Sequence, residues 1–112
     1  MAASRISSAN LGDKMFLAAK ASFGTRFPAV RAYLKAESEK LAITLRMIIE
    51  ASTTGEMSKA EAKILLNQQK VAASAVLTAT EGMTAIAVQA ALNAALKVVK
   101  DFVNGKVGFG LL

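Results

Sequence analysis

The stretch from Ser58 to Asn104 constrains this chain most. It contains no proline, and apolar or small residues point in almost every direction around a helical wheel drawn through it. A helix that is apolar nearly all round is a buried helix. In a chain of 112 residues, little else remains to bury it. The sequence therefore poses a covering problem, and the alternatives are a break in the helix, other copies of the chain, or lipid.

Composition fixes the fold class. Hydrophobic residues make up 54% of the chain and aromatic residues 5%. Alanine, the best helix former, supplies much of the apolar content. Strand-like alternation is confined to the last few residues. We expect a single all-α domain spanning residues 1–112. Its expected parts are an antiparallel helical hairpin, a short N-terminal helix, a long Ala-rich C-terminal helix and an extended C-terminal tail.

The elements follow from local signals. Residues 1–12 are polar and serine-rich and read as an N-terminal arm. Residues 13–23 form a short helix, with Asp13 at its positive end and Gly24 as a left-handed stop. Met15, Phe16, Ala19 and Phe23 share one of its faces. Residues 28–52 form an amphipathic helix with Pro28 in its first turn. Its stripe is Val30, Tyr33, Leu34, Leu41, Leu45, Ile48 and Ile49. Ser58 and Glu61 spell a capping box that starts the long helix, 58–104. Residues 105–112 (GKVGFGLL) read as an extended tail that docks in a groove on a neighbour.

One polar line runs down the long helix through Lys63, Asn67, Lys70, Ser74, Thr78, Glu81, Gln89, Asn93, Lys100 and Asn104. A continuous helix would be about 70 Å long, about twice the width of a compact globule of this size. Its second half would project uncovered, with large apolar side chains each worth about 1.5–3 kcal/mol when buried. Gly82 is the candidate break or kink, since glycine costs about 1 kcal/mol in a helix interior. The polar line keeps its helical phase across Gly82, however, and favours a continuous or kinked helix over two separate ones.

Catalytic chemistry has little to work with. Histidine and cysteine are absent, although general acid–base and metal chemistry lean on them. The acids Asp13, Glu37, Glu39, Glu50, Glu56, Glu61, Glu81 and Asp101 scatter along helix surfaces. No enzyme activity, metal or cofactor is expected. The net charge is +6. Lys20, Arg26, Arg31 and Lys35 follow one another without an intervening acid, and are candidate contacts for phosphate or a charged partner.

The function expected from these features is a non-enzymatic structural subunit. Such a chain would self-assemble through apolar helix packing into a virion component or a filament or secretion-type assembly. Val88, Leu92, Leu96, Val99, Phe102, Val103 and Phe109 are the expected subunit interface. Partners would be other copies of the chain and other structural proteins of the same assembly. One alternative is a membrane-embedded helical protein with residues 71–96 in the bilayer. Another is a small basic nucleic-acid-binding protein. The first residues hold no apolar run of signal-peptide length. Synthesis in the cytoplasm without a cleavable signal is therefore expected, with a final place in a virion or an extracellular assembly.

Overall fold

The computed structural model describes residues 8–80 and 83–112, with burial described from Asn10 onward. Within these residues the fold is all-helical, without strands. It comprises α1 (Ser8–Phe23), a short 3-10 turn (Gly24–Arg26), α2 (Phe27–Thr53), α3 (Lys59–Thr78) and α4 (Ala85–Val107). The radius of gyration is 13.9 Å, close to the value of about 13 Å for a compact chain of this length.

The single helix expected over 58–104 is not formed. α3 ends at Thr78 and α4 begins at Ala85. Backbone bonds tighten the exit from α3: Thr80 N donates to Leu77 O at 3.2 Å and Met83 N donates to Thr80 O at 3.1 Å. Thr84 then takes an extended conformation and caps α4, its hydroxyl oxygen accepting from Ala87 N at 3.1 Å. Glu81 and the kink expected at Gly82 fall outside the described residues.

Burial explains the break. α4 packs on α1, α2 and α3, most extensively on α1. This buries Val88, Ala91, Leu92, Ala95, Leu96, Val99 and Val103. Each large side chain among them is worth about 1.5–3 kcal/mol relative to exposure. Losing a few helical hydrogen bonds at the break, several of them replaced by caps and turns, costs less than leaving that face in water.

α1 begins earlier than expected, at Ser8, and so takes in part of the predicted arm. Leu11, Met15, Ala19 and Phe23 recur every fourth residue and are all buried. α1 lies close to α2 at Gly12, where an added Cβ would sit 3.6 Å from Ala42 Cβ. Phe16 packs edge-on against Phe27, with ring centroids 5.6 Å apart. On α2, Val30, Leu34, Leu41, Leu45, Ile48 and Ile49 are buried as the stripe implies, but Tyr33 is 53% exposed. Tyr33 lines an open surface hollow together with Val76, Ala79 and Thr80 near the end of α3. Glu37, read as a surface acid, is buried at 3% exposure. Its carboxylate accepts from Lys40 Nζ at 3.1 Å, which offsets the cost of burying a charge.

The capping box forms. Ser58 N donates to Glu61 Oε1 at 3.0 Å, and Glu61 N donates to Ser58 Oγ at 3.2 Å. The bond from the Ser58 backbone, then that from its side chain, hold the Glu61 carboxyl below its usual value. A depressed folded-state pKa means that this stabilisation is present above the unfolded value of about 4.3 and is lost as pH falls through the folded one.

The tail also departs from expectation. α4 continues through Gly105 to Val107 and ends at Gly108, whose φ of 82° is the left-handed conformation of a helix stop. Asn104 Oδ1 then accepts from Leu111 N at 3.0 Å and from Leu112 N at 2.9 Å. The tail docks on its own chain, and Leu111 is buried there at 8% exposure.

Two outcomes are expected from this packing. Leu45→Ala should lower unfolding free energy by about 2–5 kcal/mol, measured by urea denaturation. Glu61→Gln should flatten the fall in melting temperature between neutral pH and pH about 3, relative to the parent chain.

Candidate functional site

The reversal between α3 and α4 folds the polar line back on itself. Lys63, Asn67, Lys70, Ser74 and Thr78 line an open groove from the α3 side. Gln89, Asn93, Lys97 and Lys100 line it from α4. Within each helix these residues recur three or four apart, the spacing that keeps side chains on one face. Thr78 shares the groove wall with Gln89, while Lys70 shares it with Lys97 and Lys100. The two helices therefore run in opposite directions along the groove. The helical phase that argued for a continuous helix is instead the register that brings two polar faces together.

The groove has an apolar floor. Leu66, Leu96, Leu111 and Leu112 line the part of it nearest the tail, which has a volume of about 510 Å³. Leu92 continues it toward the α3–α4 turn, where the exposed Val71 and Ala75 also line the groove. The tail supplies one wall, so Asn104, which holds Leu111 and Leu112, shapes the groove without lining it. At the tail end, Lys59 Nζ lies 5.9 Å from the centre of the Phe109 ring.

The charge is one-sided. α3 and α4 carry Lys59, Lys63, Lys70, Lys97, Lys100 and Lys106 against Glu61 and Asp101. Among the described residues, Asp101 is the only acid that lines the groove. Among the described residues, the ion pairs join Lys40 to Glu37 and Arg46 to Glu50, both on α2. The groove lysines are therefore not neutralised within these residues.

Five of the seven expected interface residues are buried within the single chain. Val88, Leu92, Leu96, Val99 and Val103 are between 0% and 7% exposed within a single chain. They belong to its own core, and the reason for placing them between chains is gone. Phe102 is 44% exposed, with Lys106 Nζ 5.6 Å from its ring centre. Phe109 is half-buried against the core. The basic series Lys20, Arg26, Arg31 and Lys35 is exposed near the α1–α2 junction. Lys20 Nζ lies 5.1 Å from the centre of the Phe27 ring. This series and the groove lysines sit on different helices.

No described helix is long and apolar enough to cross a membrane. Residues 71–96 straddle the end of α3 and the start of α4. The described residues hold no cluster of acids, histidines or cysteines suited to a metal ion. No protein-family model matches this chain, and neither a curated protein nor a solved structure is significantly similar to it.

Asn104→Ala removes the acceptor for two tail amides. The variant should release the tail, expose Leu111 and speed amide exchange at Leu111 and Leu112, with loss of about 1–3 kcal/mol of stability. Hydrogen exchange followed by NMR reads both amides directly.

Proposed function

We propose that this chain is a non-enzymatic binding protein whose α3–α4 groove receives an anionic partner. One observation carries the reading: Lys63, Lys70, Lys97 and Lys100 converge on a groove that, among the described residues, contains one acid, Asp101. Uncompensated charge around a concave surface focuses its field and attracts counter-charged partners. The side-chain amides and hydroxyls of Asn67, Ser74, Thr78, Gln89 and Asn93 supply donors along the same surface. An apolar floor beneath polar rims is the usual composition of a recognition site.

Self-assembly remains the second reading, on a surface other than the one first expected. Tyr33, Ile43 and Met47 are exposed on α2 at 53%, 45% and 52%, and Val76 of α3 is 37% exposed beside Tyr33. The spacing of 33, 43 and 47, with Ala36 and Lys40 between, places them along one side of α2. A helical hairpin formed by α2 and α3 would present that stripe to a second copy.

Two measurements separate these readings. The triple variant Lys70→Glu, Lys97→Glu, Lys100→Glu should elute from immobilised heparin at clearly lower salt than a charge-matched variant, Lys20→Glu, Arg31→Glu, Lys35→Glu. Equal elution would remove the groove from consideration. Sedimentation equilibrium at micromolar concentration tests the other reading: assembly through the stripe requires an oligomer that Met47→Asp dissociates, and a monomer at all concentrations would end it.

A further inference from the structure

We propose that the occupant of the α3–α4 groove is an acidic, amphipathic α-helix of a partner protein. The inference rests on the groove reading above and gives its ligand a chemical class. Shape comes first. The groove is the trough between two adjacent helices that run in opposite directions, and its walls are side chains three or four residues apart. A third helix fits such a trough with its own side-chain ridge. From Lys63 to Thr78 the α3 wall is about 22 Å long, or about four turns of a docked helix.

Charge and polarity then discriminate among anions. A helix with carboxylates flanking an apolar centre matches Lys63, Lys70, Lys97 and Lys100 above Leu66 and Leu96. A single alkyl chain with an anionic head does not. Laid along the groove, it would press methylenes against Asn67, Ser74, Thr78, Gln89 and Asn93. Those groups would lose their water without gaining partners, which disfavours binding. A docked helix carries polar side chains that satisfy them. Single-stranded nucleic acid is disfavoured for a different reason. Its sequence-independent binding relies on aromatic platforms, and none of the described residues that line the groove is aromatic.

The test uses the full chain and labelled probes followed by fluorescence anisotropy. The first probe is a synthetic peptide of about 20 residues with Glu and Leu arranged on one helical face. The second has the same composition in an order that destroys the face. The third and fourth are an oligothymidylate and oleate. The expected result is that the amphipathic peptide binds at least about tenfold tighter than its shuffled isomer. It should also gain helix on binding and weaken by at least about tenfold against Lys70→Glu, Lys97→Glu. Circular dichroism of the variant confirms that it stays folded. Equal binding of the two peptides overturns the helical occupant. So does tight, lysine-dependent binding of the oligonucleotide or of oleate without the peptide, and in that case the anion-binding groove itself stands. Peptide binding that ignores both lysine substitutions overturns the groove reading and the helical occupant together.

Discussion

Burial of the apolar face of α4 against α1 and α2 is the contact on which the rest of this structure depends. α4 has the greasiest sequence in the chain, and Val88, Val99 and Val103 are almost wholly removed from water. A continuous helix from Ser58 would carry those side chains beyond the reach of the remaining residues. Turning back after Thr78 lays them on α1 and α2 instead. A threonine cap at Thr84 satisfies one of the free amides that the new helix start creates.

That reversal has a second consequence. Once α3 and α4 lie side by side in opposite directions, their polar faces have only each other and solvent to meet. Lys63 and Lys70 of α3 and Lys97 and Lys100 of α4 then collect around one trough instead of spreading along a rod. The groove is thus a by-product of how the core is covered. Like charges gathered this way repel one another, a modest cost that an anionic partner relieves. Asn104 binds the tail amides across the end of the trough, and so ties the shape of the groove to the end of α4.

Several features were legible in the sequence for clear physical reasons. The helical class follows from alanine content and three-or-four spacing. The Ser58–Glu61 box forms as read because both partners lie within one turn. The stripe on α2 is buried apart from Tyr33, which sits near the end of that stripe and faces the last turn of α3. The break was harder to see. Thr84 is a good cap, but the residue three positions on is Ala87, so no capping box marks the start of α4. The polar line then kept its phase by pairing with itself, which is indistinguishable along a wheel from continuity. The tail is hard to read because its glycine alternation resembles an extended segment, while its partner Asn104 belongs by spacing to the polar line. The groove needs two helices at once, and no local pattern encodes their meeting, although the polar line named most of its residues.

Both the closed core and the groove vanish without the reversal between α3 and α4. The chain has no cysteine, so Asn67→Cys, Asn93→Cys offers a clean pair of sites for nitroxide labels. In a continuous helix these positions would be about 39 Å apart. Across the trough that both residues line, the labels should approach closely enough for strong dipolar broadening, within about 20 Å given the usual spacing of packed helices. A short distance by electron paramagnetic resonance is the predicted result, and a single population near the helical length would contradict the fold and everything argued from it.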